Sequence, residues 1–285
     1  MTIHLRPGTP ADAARAGAIC FEAFKSIAER HGFPPDFASA EIATALMSSL
    51  LGRPDIHSVV AERDGRVLGS NFLWENAAIA GIGPITVDSA VQNAQIGRRL
   101  MADVLERSRQ RGFAGVRLVQ AAYHQRSLSL YAKLGFDARE PLSTLQGPPL
   151  RLEIAGYKVR PAGEADAGAC NALCRRVHGH DRGLELIDAV KQGSARVVVR
   201  EGRITGYATA IGFFGHAVGE TGDDLKALIG AADGFGGPGF LLPTRNGELL
   251  RWCLDRGLRV VQPMTLMSIG LYDEPAGAFL PSILF

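Results

Sequence analysis

The chain repeats one order of sequence patterns in its two halves. The opening stretch LRPGTPADAARAGAIC resembles KVRPAGEADAGACNALC, which begins at Lys158, and each carries Arg-Pro, a spacer, a helix-start residue and Ala-Asp-Ala. VVAERDGRVLGSNFL, from Val59, resembles VVVREGRITGYATA, from Val197, and both are typical of a hairpin. HQRSLSLYAKLGF, from His124, resembles NGELLRWCLDRGL, from Asn246, and both are typical of a short helix ended by glycine. The repeat restricts the fold to two similar halves.

In each half the patterns predict strand, helix, helix, hairpin, longer strand, helix, strand, helix and strand. For the first half we predict helices over 10–30, 36–51 and 95–111 and strands near 3–6, 58–63, 66–75 and 77–87. This order predicts an α/β (α+β) fold of two tandem domains, each with a mixed, mostly antiparallel central sheet flanked by helices. The pair Pro148-Pro149 indicates a boundary, with domains over 1–148 and 149–285.

Composition excludes several classes of protein. Hydrophobic residues make up 46% and charged residues 21% of the chain, which is typical of a globular protein. The net charge of +2 provides no strong field for nucleic acid. No apolar stretch is long enough for a membrane span, and MTIHLRPGTP lacks the features of a signal peptide. Four scattered cysteines are typical of reduced thiols, so we expect a cytoplasmic protein.

The stretch VQNAQIGRRL, residues 91–100, follows a strand that ends in GPITVDSA and opens a helix. Free backbone N–H groups and the helix dipole favour an anion at such a place. However, the stretch contains one glycine, Gly97, and the side chain of Gln95 adds bulk. These ten residues alone therefore favour an ordinary helix start over a phosphate site.

The surrounding sequence favours the phosphate site. VDSAVQNAQIGRRLM resembles the acyl-CoA loop of the GNAT N-acetyltransferases, V-D-P-x-x-Q-G-x-G-I-G-R-x-L. The matching residues are Val87, Asp88, Gln92, Ile96, Gly97, Arg98 and Leu100. Ser89, Asn93 and Gln95 replace the proline and two glycines of the family pattern.

A second segment, HQRSLSLYAKLGF, resembles the family pattern N-x-x-A-x-x-L-Y-x-K-x-G-F. The matching residues are Leu130, Tyr131, Lys133, Gly135 and Phe136. His124 replaces the usual asparagine and Ser127 the usual alanine. The two segments occur in the family order, and the resemblance covers about residues 1–150.

The resemblance implies that acetyl-CoA is the acyl donor. It places the donor's pyrophosphate on backbone amides of Gln92, Asn93, Ala94, Gln95, Ile96, Gly97 and Arg98. The Val87 amide would polarise the thioester carbonyl, and Tyr131 would protonate the leaving thiolate. His124 and Ser127 would line the pantetheine or 3′-phosphate side. Arg98 and Arg99 fit a phosphate contact and a solvated helix face equally well.

Attack by an amine also requires a base. The candidates are Glu75, Glu22 and His57, each also explained as a surface residue, and Glu75 is preferred for its place at the end of a strand. The acceptor would be the primary amine of a small molecule or a peptide. We expect a monomer or a homodimer. We expect no metal site, because the pair of Cys174 and His178 lacks a second pair of ligands.

The second half lacks the donor-loop pattern. Between Gly212 and Leu228 no Q-x-x-G-x-G occurs, and Asp223 and Asp224 are expected to cap a helix there. The counterpart of Tyr131 is Cys253. We therefore predict an N-acyltransferase with a degenerate second domain. The alternatives are a non-catalytic acyl-CoA-binding or sensing module and a structural partner subunit.

Overall fold

The computed structural model of the protein describes residues 3–75, 77–92 and 95–284. The chain divides into two compact units: the first holds the described residues up to Leu118 and the segment His124–Gly135, and the second holds Val119–Tyr123 and Phe136–Ile283. None of the helices among the described residues has the length and apolar character that a membrane span requires.

Unit 1 contains a mixed sheet with helices on both faces. Its helices are α1 Ala13–Arg30, α2 Ala40–Leu51, α3 Ile96–Arg111 and α4 Gln125–Lys133. Its strands are β1 His4–Pro7, β2 Ile56–Arg63, β3 Arg66–Trp74, β4 Ile79–Ile82, β5 Thr86–Val87 and β6 Gly115–Ala121, whose last residues belong to unit 2. The strand order is β1-β2-β3-β4-β6, with antiparallel pairs except for the parallel pair β4–β6. The predicted mixed, mostly antiparallel sheet is confirmed.

Alternation along β3 separates the two faces of this sheet. Phe72 is fully buried against α1 and α2, in a cluster with Cys20 and Met47. Its neighbour Asn71 points to the other face, where its side-chain amide donates to the Leu100 carbonyl of α3 at 3.3 Å. Successive residues of a strand point to opposite faces, so this single strand anchors both helical layers.

The strand predicted over 77–87 is interrupted, so this prediction is wrong in its middle. Pro84 has no N–H for a ladder hydrogen bond, and it separates β4 from β5. β4 pairs with β3 and, in parallel, with β6, whereas β5 pairs with β3. Strands β4 and β5 therefore separate at this point. Among the described residues β6 pairs with β4 and not with β5.

Unit 2 also combines strands with helices. Its helices are α5 Ala167–His178, α6 Gly183–Lys191, α7 Gly222–Gly230 and α8 Gly247–Leu254. Its strands are β7 Asp137–Gln146, β8 Lys158–Pro161, β9 Arg196–Arg200, β10 Arg203–Ala208, β11 Ala217–Gly219, β12 Phe240–Pro243, β13 Arg259–Gly270 and β14 Ala278–Leu280. One run of strands is ordered β14-β11-β10-β9-β8, and a second β13-β7-β12. Alternation again divides the faces, since Val197 packs with α5 and α6 and Val198 with α7.

Strand β7 lies between two strands from the second half of the sequence. It is antiparallel to β13, from Arg259↔Gln146 to Ser268↔Asp137, and antiparallel to β12 on its other edge. Its side chains Leu142 and Leu145 are buried. The predicted boundary after residue 148 stays a prediction, and β7 lies on the first-half side of it while its partners lie on the other.

The repeated Arg-Pro segments form the same ion pair in both units. Arg6 donates to both carboxylate oxygens of Asp12 at 2.8 Å, and Arg160 donates to those of Asp166 at 2.7 and 2.8 Å. Each aspartate also accepts a backbone N–H three residues earlier, that of Thr9 at 2.8 Å in the first unit. The correspondence inferred from the sequence is confirmed at the level of single hydrogen bonds.

Replacing Asp12 by asparagine should remove a pH-dependent part of the stability. The hydrogen bond from Arg6 lowers the pKa of Asp12 from its usual 3.8 to about 2. A depressed carboxyl pKa stabilises the fold above the unfolded value and loses that effect as the pH falls through the folded value. We expect Asp12→Asn to lower the free energy of unfolding by roughly 2 kcal/mol at pH 7 and by about half as much at pH 3. Urea titrations at both pH values measure this, and an equal loss at both would contradict it.

Candidate functional site

Val87, in β5, directs its backbone amide away from β3. In the antiparallel pair of β3 and β5, Val87 lies opposite Gly69. The next N–H, of Asp88, donates to the Leu68 carbonyl at 2.8 Å, so the hydrogen-bonded positions are those on either side of Val87. The N–H and C=O of Val87 therefore face the edge at which, within the described residues, β5 has no strand partner.

Helix α3 begins beside this edge. Gln95 precedes the helix with φ 57°, in the left-handed region, and within the described residues its exposed side chain does not cap the helix. A Cβ at Gly97 would lie 3.7 Å from Leu130 Cδ2 of α4 and 3.9 Å from Val87 Cγ2. The start of α3, the edge of β5 and α4 thus meet at one place. Arg98, in the first turn, is exposed and adds positive charge.

The loop before α3 contains further residues of the predicted donor site. Asn93 and Ala94 lie outside the described residues. The side-chain oxygen of Gln92 accepts from Arg126 at 3.2 Å, which links the loop to the first turn of α4. Arg99 donates to the Ile3 carbonyl at 2.9 Å, so it holds the chain before β1. Arg98 remains the predicted phosphate contact of the two.

His124 caps α4 in place of the family's asparagine. Its Nδ1 accepts from the Ser127 N–H at 3.2 Å. In unit 2 the Oδ1 of Asn246 accepts from the Leu249 N–H at 3.2 Å, which is the same bond at the corresponding position. Burial lowers the pKa of His124, which favours the neutral ring that this acceptor role requires. The histidine thus preserves the cap that asparagine provides in the other half.

Tyr131 lies one turn after Ser127, on the buried face of α4. It is 5% exposed, and burial raises the pKa of its hydroxyl to about 12. The Ser127 side chain hydrogen-bonds it and partly opposes that rise. The phenol therefore keeps its proton across the physiological range, as a proton donor must.

The candidate bases are engaged with other side chains or lie at the surface. Arg107 donates to the two carboxylate oxygens of Glu75 at 2.6 and 3.0 Å, and this carboxylate is largely buried. His57 pairs with Asp103 at 2.9 Å. Glu22 is exposed on α1. Glu75 as the base stays a prediction. The ion pair with Arg107 is a structural role that would also account for this residue.

Unit 2 places a strand of its own at the corresponding edge. Gly219 of β11 lies opposite Gly206, as Val87 lies opposite Gly69, and the next N–H, of Glu220, donates to the Thr205 carbonyl at 2.9 Å. The Gly219 amide therefore also faces away from the neighbouring strand. At that edge β14 pairs with β11, with Ala278 opposite Gly219.

A carboxylate in the first turn of α7 bonds back to the residue before the helix. The Oδ2 of Asp224 accepts from the N–H and hydroxyl of Thr221, both at 2.9 Å, and its Oδ1 accepts from the Thr205 hydroxyl. The predicted cap is confirmed at Asp224, whereas Asp223 pairs with Lys226. Glu220 stands two positions before α7, whereas Asp88 stands eight positions before α3. Unit 2 thus lacks the segment that would surround a pyrophosphate.

Two arginines beside the loop are not part of the predicted site. Arg126 contacts Gln92. Its position two residues after the capping residue His124 is a sequence signal from which it could have been predicted. Arg15, on α1, forms an ion pair with Asp88 across 73 positions of sequence. No local pattern indicates such a pair, because it depends on how α1 crosses the sheet.

Comparison with known sequences gives the family. The profile of the acetyltransferase (GNAT) family matches residues 22–136, which include β5, α3 and α4. An IAA acetyltransferase of Azospirillum brasilense is 31% identical over 120 residues, which are 41% of this chain and 78% of that protein. The residues matched by the profile contain both predicted motifs.

Solved structures share the fold over nearly the whole chain. A Pyrococcus horikoshii protein aligns over 97% of this chain and 92% of its own, with TM-score 0.74 and 18% identity. A GCN5-related N-acetyltransferase from Sphaerobacter thermophilus covers 97% and 98%, with TM-score 0.62 and 17% identity. A tandem GNAT protein from the clavulanic acid biosynthesis pathway covers 95% and 100%, with TM-score 0.56 and 14% identity. The profile match and the Azospirillum brasilense relative show that the chain belongs to the GNAT acetyltransferase family, and the solved structures show that it has a tandem GNAT fold.

Proposed function

We propose that unit 1 transfers an acetyl group from acetyl-CoA to the primary amine of a small molecule or peptide, and that unit 2 is a non-catalytic copy. The observation that carries this proposal is the Val87 amide, which faces a strand edge that has no strand partner among the described residues and lies beside the start of α3. In unit 2, β14 occupies the corresponding edge, and the Asp224 carboxylate places a negative charge in the first turn of α7. One copy thus keeps an edge and a helix start for a ligand, and the other has a strand at the edge and an acid at the helix start.

The donor fits these residues by its chemistry. The Val87 N–H can donate to the thioester carbonyl and stabilise the negative charge that grows on its oxygen during attack. The first amides of α3 and the side chain of Arg98 suit the pyrophosphate, because the helix dipole and the guanidinium both favour an anion. Arg126, next to Gln92, adds a second cation on the side of α4.

Tyr131 is the proposed acid. Its pKa of about 12 lies well above the value near 8.5 of a thiol, so complete proton transfer to the thiolate is uphill by roughly 4–5 kcal/mol. The phenol therefore acts by donating a hydrogen bond to the sulfur as the C–S bond breaks. Attack of the amine on the bound thioester forms the C–N bond and releases the thiolate, without an acyl-enzyme intermediate. The amine loses one proton to a base, for which Glu75 is the candidate, and the released thiolate takes up one proton from water.

Titration calorimetry with acetyl-CoA tests the proposal, and we expect one site per chain. Gly97→Asp places a carboxylate in the first turn of α3, where it should weaken binding at least roughly tenfold by repelling the phosphates. A Cβ there meets only ordinary van der Waals contacts. Gly222→Asp, in the first turn of α7, is the matched control and should leave binding unchanged.

Other outcomes decide between the remaining functions. Two sites per chain would show that unit 2 binds the donor after all. Absence of binding by the wild-type chain would overturn the proposed function. One site without turnover on a panel of amines would favour the sensing module over the enzyme.

A further inference from the structure

Asp88, the residue after Val87, is held from two directions. Arg15 of α1 forms an ion pair with its Oδ2, and Arg66 of β3 donates to the same oxygen at 3.2 Å. The Nε of Arg15 also donates to the Val67 carbonyl at 3.3 Å. The Asp88 side chain is 12% exposed, whereas that of Arg66 is 64% exposed, so Arg15, at 39%, is the better shielded partner.

Asp88 fixes the backbone where β5 passes into the donor loop. Its Oδ1 accepts from the Ala90 N–H at 3.0 Å and so caps the short 3₁₀ turn Ser89–Val91 that begins the loop. Its own N–H donates to Leu68, which fixes the direction of the Val87 amide. Asp88 therefore connects the strand edge, through its N–H, with the first turn of the loop, through its carboxylate.

Unit 2 gives an internal comparison. Its acid at this position, Glu220, also pairs with a strand arginine and a helix arginine, Arg203 at 2.6 Å and Arg176 at 3.2 Å. The two Arg-Pro segments align Arg6 with Arg160, and this places Ala169 where unit 1 has Arg15. The unit without the loop therefore lacks the arginine at that place, and its acid caps no loop turn.

We propose that Arg15 is a positioning residue for the donor site: it orients Asp88, and through Asp88 the Val87 amide and the loop that follows. The inference rests on the proposed function. Arg15 itself touches neither the donor nor the acceptor in this role. Pre-organised groups bind a ligand more tightly because less motion is lost on binding, so removal of Arg15 should weaken the affinity for the donor.

The test compares Arg15→Gln with Arg176→Gln, which breaks the same kind of pair in unit 2. We expect Arg15→Gln to raise the Kd for coenzyme A by roughly tenfold in calorimetry, with kcat at saturating acetyl-CoA changed less than the KM. Arg176→Gln should bind like the wild type. Arg15→Lys should restore part of the affinity, because a lysine keeps the positive charge but lacks the planar guanidinium with which Arg15 contacts Asp88 and Val67 through two different nitrogens.

Thermal unfolding separates positioning from a general loss of structure. Arg15→Gln and Arg176→Gln should have similar Tm values, since each loses one partly exposed ion pair. The inference is overturned if the wild type binds coenzyme A and Arg15→Gln binds it equally well, or if its loss of affinity comes with a loss of Tm that Arg176→Gln does not share. Failure of the wild type to bind overturns the proposed function and, with it, this inference.

Discussion

Tyr131→Phe should lower kcat by about 100-fold while leaving the affinity for coenzyme A nearly unchanged, since general-acid groups contribute a factor of this size. The substitution removes one oxygen from a buried side chain and keeps the ring that packs in α4. The effect belongs in kcat because the hydroxyl matters only when negative charge grows on the leaving sulfur. Steady-state rates with a reactive amine, together with calorimetry, measure both quantities.

Cys253→Ala is the control for this experiment. Cys253 stands seven residues after Asn246, as Tyr131 stands seven after His124, and it is fully buried in the core of unit 2. It should leave turnover unchanged. The pH profile gives a further check, because with a pKa of about 12 the phenol should cause no loss of kcat below about pH 11. A Tyr131→Phe variant with wild-type kcat would make this tyrosine a packing residue.

A chain that ends after residue 148 should fail to fold into a soluble monomer, although the predicted domain boundary lies there. Such a fragment keeps β7 but loses β12 and β13, its partners on both edges. The buried Leu142 and Leu145 would then be exposed on an unpaired strand, which favours aggregation. Size-exclusion chromatography and near-ultraviolet circular dichroism of the fragment measure the outcome.

Co-expression of residues 149–285 with this fragment provides the control. The second fragment supplies β12 and β13, so the pair should be recovered together in solution. A fragment 1–148 that unfolds cooperatively as a monomer by itself would contradict the expectation, and would show that β7 finds another place when its partners are missing.

Local patterns predicted the elements well where a local cause exists. The repeated Arg-Pro segments, the Asp224 cap and the helix of Tyr131 all depend on residues within a few positions of each other. Pro84 is a sequence signal for the break in the strand. The apolar residues on both sides of it, however, favoured the prediction of one continuous strand. The position of β7 was not predictable in this way, because the partner of a strand is chosen by packing across more than a hundred residues.

The candidate site shows the same division. The family patterns indicated Val87, Gly97, His124 and Tyr131, and the structure brings β5, α3 and α4 together. The direction of the Val87 amide follows only from the register of β5 against β3. The pair of Arg15 and Asp88 follows only from the path of α1 over the sheet.

Under the proposed function, unit 2 has the strand β14 at the edge that unit 1 leaves to a ligand, and the Asp224 carboxylate at its helix start. A ligand that binds only the folded state stabilises it according to its concentration. Strand and carboxylate belong to the chain, so their local concentration is fixed and dilution does not remove them. Under the proposed function, the first unit alone would gain stability as the acetyl-CoA level rises and lose it as the level falls. The stability of unit 1 would then depend on the concentration of acetyl-CoA, whereas the stability of unit 2 would not.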